Sequence, residues 1–67
     1  MTIEDFAGLI TEDAYTKMCE NRKPYIVAGV TLNPSQSKNQ MFNTLREDSK
    51  FRNWAAYKIT QQYQGAN

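Results

Sequence analysis

The sequence contains no histidine and a single cysteine, and these shortages remove much of the usual chemistry of proteins. Histidine is the commonest general acid–base, the usual partner of a nucleophilic serine or cysteine, and the commonest metal ligand. Cys19 alone can form neither an intramolecular disulfide nor a zinc cluster, and no histidine exists to activate its thiol. We therefore expect a non-enzyme with no metal and no cofactor, in which Cys19 is a buried or half-buried structural thiol.

Phosphate-binding glycine motifs are also missing. The chain has three glycines, Gly8, Gly29 and Gly65, and each is isolated, so neither a P-loop nor a dinucleotide fingerprint can be written. The acidic pairs Glu4/Asp5 and Glu12/Asp13 lie where first helical turns are expected, and the helix dipole explains them without a carboxylate site.

Long apolar runs are absent as well. The longest stretch without a charge or an amide is residues 24–32, far short of the roughly 20 residues that a membrane helix needs. The first residues are acidic, whereas an export signal begins with positive charge. These features predict a cytoplasmic protein that makes no contact with a membrane.

The amino-acid composition fits one small globular domain spanning residues 1–67. Hydrophobic residues make up 40% of the chain and aromatic residues 12%. The net charge of +1 conceals an asymmetry, since residues 1–32 carry five acids and three bases, and residues 33–67 carry two acids and five bases. The excess of bases in the second half is modest, and it is compatible with an acidic partner, including nucleic acid.

Periodicity predicts a helix-dominated α+β fold with three or four short helices and one strand. A helix begins after Thr2, and Thr11 repeats the same cap signature, so residues 3–23 form either one bent helix or two. Residues 34–45, with Asn33 as the cap and Pro34 at the first helical position, and residues 49–63 are predicted as two separate helices, because their apolar faces are out of phase.

Residues 25–32 are β-branched, aromatic and uncharged, which predicts a single strand. Its backbone needs a partner, which would be a second copy of the chain or a different protein, and a tight hairpin folded at Ala28-Gly29 is the alternative. Alternation places Ile26, Ala28, Val30 and Leu32 on one face. The predicted core is Phe6, Ile10, Ile26, Val30, Phe42, Leu45, Phe51, Ala55 and Ile59.

The last predicted helix has an unusual polar side. Phe51, Ala55 and Ile59 form a stripe suited to the core, and the opposite half, with Trp54 at its flank, presents an aromatic pair among amides and a lysine. This composition is typical of binding hot spots. The alternative is that its aromatic residues wrap round to complete the core or pack against a second copy. The candidate partner-binding residues are Lys50, Asn53, Trp54, Tyr57 and Gln61.

Two functions follow from these observations. The first is a non-enzymatic protein-binding module: an inhibitor, adaptor or assembly component acting on a larger protein, of the kind common in compact genomes such as those of phages. A homodimer through residues 25–32 is a variant of this interpretation.

The second function is a small DNA-binding regulator. Residues 34–45 and 49–63 would form a helix-turn-helix, with Lys50, Arg52 and Asn53 opening a recognition helix. The order strand, helix, helix also resembles the ribbon-helix-helix layout in topology, although residues 25–32 offer almost no polar side chains to a DNA groove.

Overall fold

The computed structural model describes the backbone of residues 1–65 and the side chains of residues 1–62. Within that part of the chain, three helices and a two-stranded antiparallel sheet make a helix-dominated α+β fold, as predicted. Their order is α1 (Ile3–Asn21), β1 (Tyr25–Val27), β2 (Val30–Leu32), α2 (Lys38–Glu47) and α3 (Ser49–Gly65).

The first helix is continuous, which settles the choice between one helix and two. Thr2 caps it, because its hydroxyl accepts a hydrogen bond from the Asp5 N–H at 3.1 Å and the Asp5 carboxylate accepts one from the Thr2 N–H at 3.3 Å. Thr11 starts no new helix: its buried hydroxyl donates to the Ala7 carbonyl one turn back, at 2.7 Å. The helix ends at Arg22, whose φ of 56° is left-handed.

The prediction of one strand over residues 25–32 was wrong, and the hairpin alternative is what forms. Ala28 and Gly29 have φ values of 52° and 78°, and positive φ at both central residues is typical of a two-residue type I′ turn. Val27 pairs with Val30 and Tyr25 with Leu32. Each strand thus finds its ladder partner within the chain.

The hairpin also changes which side chains face the core. Residues paired across antiparallel strands share a face, so the inward face carries Val27, Val30 and Leu32, and Ile26 lies on the other face opposite Thr31. Ile26 is 69% exposed, so its assignment to the core was wrong. A two-residue turn resets the alternation that a single strand would have continued.

The second helix begins later than the predicted residue 34. Ser37 is its cap, in a capping box with Gln40: the Ser37 hydroxyl accepts from the Gln40 N–H at 3.2 Å, and the Gln40 side chain accepts from the Ser37 N–H at 2.9 Å. Asn33 and Gln36 instead close a turn, with the Gln36 side chain accepting from the Asn33 N–H at 2.9 Å. Residues 35–40 are all polar, so an earlier start of the helix would gain nothing from packing.

Helices α2 and α3 are separate, as their phase predicted, and a single residue joins them. Asp48 ends α2 and caps α3: its carboxylate oxygen Oδ1 accepts from the Lys50 N–H at 2.8 Å and from the Phe51 N–H at 3.1 Å.

The core lies where the three helices meet the inner face of the hairpin. Its buried residues are Ala7, Ala14, Met18, Val27, Val30, Leu32, Met41, Leu45, Phe51 and Ala55. Four predicted core residues are therefore buried, and Phe6, Ile10 and Phe42 are half-buried against the cluster. Ile59 is half-buried but lies outside that packed set.

Candidate protein-binding surface

Four of the five predicted binding residues form one exposed stripe along α3. Lys50, Asn53, Tyr57 and Gln61 are all exposed, and their spacing of three and four residues places them on one helical face. We call these four residues the α3 face. Tyr57 lies at its centre and is 59% exposed, a large fraction for an aromatic side chain.

The α3 face points outward because the opposite side of the helix is anchored. Phe51 and Ala55 are both 0% exposed. Each lies two positions from a residue of the α3 face, and two positions correspond to a rotation of about 200° on an ideal helix. Burial of Phe51 and Ala55 in the core therefore directs Asn53 and Tyr57 into solvent.

Residues 56–62 of α3 are largely uncovered by the rest of the molecule. Every residue from 56 to 62 is exposed except Ile59, which is half-buried. The longest principal dimension is 39 Å, against 22 Å and 18 Å for the others. The α3 face thus lies on a helix that is packed in the core at its beginning and is mostly exposed over residues 56–62.

Trp54 lies at the margin of the α3 face rather than on it. Its ring is half-buried, with its centroid 5.5 Å from that of Phe6 and 5.7 Å from that of Phe51. The Lys58 ammonium is 5.9 Å from the centre of the same ring. Trp54 therefore belongs partly to the core, as the alternative interpretation of the sequence held for it.

Tyr57 is held in place by its own helix. The Gln61 amide nitrogen Nε2 donates a hydrogen bond of 2.8 Å to the phenol oxygen of Tyr57, one turn earlier. A tyrosine has few rotatable bonds, and this contact restricts them further. A partner that packs on the ring therefore costs little side-chain conformational entropy.

The charge on α3 is of one sign. The helix contains no aspartate or glutamate and carries Lys50, Arg52 and Lys58. Arg52 is compensated, since its guanidinium lies 3.6 Å from the Glu4 carboxylate and donates to the Arg46 carbonyl at 2.8 Å. Among the side chains that the structure describes, no carboxylate forms an ion pair with Lys50 or Lys58.

The α3 face begins beside the tip of the hairpin. A Cβ atom added to Gly29 would lie 3.9 Å from Cδ of Lys50, so the lysine stem runs along the turn. The outer side of the hairpin presents the exposed Ile26. Sequence reasoning missed the exposure of Ile26, because one strand over residues 25–32 would have turned it inward.

Three acidic residues of the N-terminal half have partners within the chain. Glu12 forms an ion pair of 2.8 Å with Lys38, Glu4 pairs with Arg52, and Asp5 completes the cap of α1. Within residues 1–65, no group of three or more histidine, cysteine, aspartate or glutamate side chains is placed to hold a metal ion. Cys19 is exposed, so its interpretation as a buried or half-buried thiol was wrong.

A cavity of about 340 Å³ opens at the C-terminal end of α1. Asp13 lies close to this cavity, and its carboxylate has two partners within the chain. It forms an ion pair of 3.3 Å with Lys17 and accepts a hydrogen bond of 3.0 Å from the Tyr25 phenol. Partial burial, and then the hydrogen bond and the negative charge of Asp13, raise the pKa of Tyr25 above its usual value of 10.0. These contacts tie β1 to α1. The cavity is lined by Lys17, Met18, Asn21, Lys23, Pro24 and Tyr25.

The geometry of α2 and α3 departs from both predicted DNA-binding arrangements. A helix-turn-helix joins its helices by a turn of about three or four residues, whereas Asp48 alone separates α2 from α3. In the ribbon-helix-helix layout the strand pairs with a second chain, whereas β1 pairs with β2. No helix in the described part of the chain is long and apolar enough to span a membrane.

No protein-family model, curated protein or solved structure matches this chain.

Proposed function

We propose that this protein is a non-enzymatic binding module that acts on a larger protein through the α3 face. The observation that carries the proposal is the exposed ring of Tyr57, braced by Gln61 and surrounded by Asn53 and Lys50. Tyrosine is among the residues most enriched at hot spots, and a rigid, exposed ring offers contact area at low entropic cost.

An exposed helix face is also a suitable shape for recognition. A helix of 17 residues is about 25 Å long, so the stripe from Lys50 to Gln61 can lie in a groove of a larger partner. The first half of α3 is packed in the core, which presents the stripe in a defined orientation. An inhibitor, an adaptor or an assembly component would each use such a surface.

The hairpin removes the reason for expecting a second copy of the chain as the partner. A lone strand over residues 25–32 would have needed a second copy of the chain to complete its ladder. Because β1 and β2 pair with each other, that reason for a homodimer no longer applies. A different, larger protein is thus the partner that we propose.

Site-specific photo-cross-linking tests the proposal. A photoreactive amino acid replaces Thr60, which is exposed one turn from Tyr57, and a matched control carries it at Thr16, which is exposed on α1. In cells of the source organism, we expect a discrete adduct with a larger protein from position 60 and none from position 16.

Competition then links the adduct to Tyr57. Excess unlabelled chain should suppress the adduct, whereas the Tyr57→Ala chain should compete about 30-fold less well, equivalent to about 2 kcal/mol for a hot-spot residue. Equal adducts from both positions, or equal competition by the two chains, would show that the α3 face is not the binding surface.

A further inference from the structure

We infer that the surface of the partner that meets the α3 face is acidic, with carboxylates flanking an apolar site for Tyr57. This inference rests on the proposed function and adds the chemistry of the partner. It comes from the charges that the fold leaves uncompensated on α3.

Most lysines and arginines of the second half of the chain are already paired. Lys38 pairs with Glu12, Arg46 lies 3.6 Å from Glu47, and Arg52 lies 3.6 Å from Glu4. In the described part of the chain, Lys50 and Lys58 have no such partner, and both lie on α3. The nearest acid in sequence, Asp48, is engaged by two backbone N–H groups as the cap of the helix.

The two lysines share a helix with Tyr57, Lys50 seven residues before it and Lys58 directly after it. They are eight residues apart, about 12 Å along the helix axis, and Tyr57 lies between them in sequence. The stem of Lys50 follows the hairpin turn, and the Lys58 ammonium lies over the Trp54 ring. Both heads are exposed, so the arrangement is an aromatic centre with positive charge at its rim.

Rim charges of one sign act on specificity and on the rate of association. They attract a surface of opposite charge and repel one of the same charge. The amide groups of Asn53 and Gln61 add hydrogen-bond donors that a carboxylate can accept from. An acidic protein surface therefore complements the α3 face in charge and in hydrogen bonding.

Nucleic acid, the other polyanion, fits the same residues less well. DNA-binding proteins gain a large share of their affinity from phosphate contacts made by several lysines and arginines. Two uncompensated lysines supply too few, and the single-residue connector Asp48 lacks the turn of a helix-turn-helix. We therefore assign the α3 face to a protein.

Selection from a random displayed peptide library against the immobilised full chain tests the inference. The enriched peptides should contain aspartate or glutamate beside an apolar residue, and their affinity should fall as salt is raised. Their binding should also be weakened by Tyr57→Ala, which places them on the α3 face.

A matched pair of charge reversals supplies the control. Lys58→Glu should weaken the selected peptides by about fivefold to tenfold, because it turns an attraction into a repulsion at the rim. Lys23→Glu makes the same change in net charge beyond the end of α1 and should alter affinity by less than about twofold. Circular dichroism and thermal melting confirm that both variants are folded.

Three results would overturn the inference. The first is enrichment of neutral or basic peptides, or of none. The second is equal effects of Lys58→Glu and Lys23→Glu. The third is duplex DNA binding more tightly than any peptide and depending on Lys58. If neutral peptides still require Tyr57, the α3 face remains the binding surface and only the acidic partner is wrong.

Discussion

Trp54 and Tyr57 are one helical turn apart and have the same apparent role in the sequence, yet the fold separates them. Trp54 packs against Phe6 and Phe51, at centroid distances of 5.5 Å and 5.7 Å. Tyr57 accepts a hydrogen bond from the side chain of Gln61 and is 59% exposed. At the scale of single residues, one aromatic side chain serves stability and the other is free to serve recognition.

Truncation to alanine should separate these two roles. Trp54→Ala removes a half-buried ring from an aromatic cluster, and we expect it to lower the free energy of unfolding by about 2–4 kcal/mol. Tyr57→Ala should change that free energy by no more than about 0.5 kcal/mol, as for other surface substitutions. Urea denaturation followed by circular dichroism measures both. Equal destabilisation by the two variants would place Tyr57 in the core.

Tyr25 makes stability depend on pH in the alkaline range. Its raised pKa means that the folded protein holds the phenol proton more tightly than the unfolded chain does. The resulting stability is fully present below the unfolded value of 10.0, and it is lost as the pH rises through the higher folded pKa. Above that range, a phenolate would face the carboxylate of Asp13.

Tyr25→Phe tests this dependence by comparison, because other tyrosines and lysines titrate in the same range. Near neutral pH the variant should be less stable than the wild type by about 1 kcal/mol or less, since it loses an exposed hydrogen bond to Asp13. This difference should shrink as the pH rises past 10.0. Paired urea titrations across that range provide the measurement, and a constant difference would contradict the assignment.

At the scale of elements, the hairpin depends on two residues with left-handed backbone. Ala28 and Gly29 both have positive φ, and glycine is the residue that adopts this conformation without steric cost. Gly8 is different, because it lies inside α1, where glycine only weakens the helix. Neither position is crowded: an added Cβ would meet nothing within 4 Å at Gly8 and only Cδ of Lys50, at 3.9 Å, at Gly29.

The same substitution should therefore have opposite effects at these two glycines. Gly29→Ala should destabilise the protein by about 1–2 kcal/mol, the cost of a left-handed residue that carries a Cβ. Gly8→Ala should stabilise it by about 0.5–1 kcal/mol, because alanine favours the helix and restricts the unfolded chain. Thermal melting of both variants checks the signs. A shift in the same direction for both would mean that space, rather than backbone conformation, governs one of these sites.

At the scale of the whole molecule, Phe51 connects the elements that hold α3 in place. It is 0% exposed, and its ring centroid lies 6.3 Å from that of Phe6 in α1. A chain of 67 residues has only one small core, so its total stability is expected to be about 5 kcal/mol or less. Loss of one such side chain is therefore comparable to the stability of the entire domain.

Phe51→Ala should cost about 3–5 kcal/mol and leave a large fraction of the protein unfolded at room temperature. Ile26→Ala is the matched control, because it truncates a large apolar side chain that is 69% exposed, and it should cost no more than about 0.5 kcal/mol. Far-ultraviolet circular dichroism distinguishes the two. A folded, cooperative Phe51→Ala protein would mean that the core tolerates the cavity.

The sequence by itself determined the features that depend on local hydrogen bonds and helical periodicity. The cap at Thr2, the break between α2 and α3, and the polar side of α3 that carries Lys50 and Asn53 all follow from residues within one or two turns of each other. The helix-rich class follows from the same signals. Each of these could be predicted because no distant contact competes with them.

Only the tertiary structure decided the features for which the local sequence allowed two patterns. Ala28-Gly29 can continue a strand or reverse it, and packing of Val27, Val30 and Leu32 against the helices selects the reversal that turns Ile26 outward. Thr11 can start a helix or lie within one, and Trp54 can face solvent or the core. Burial of apolar surface made these choices, and it depends on residues far apart in the chain, such as Phe6 and Phe51, which sequence spacing does not bring together.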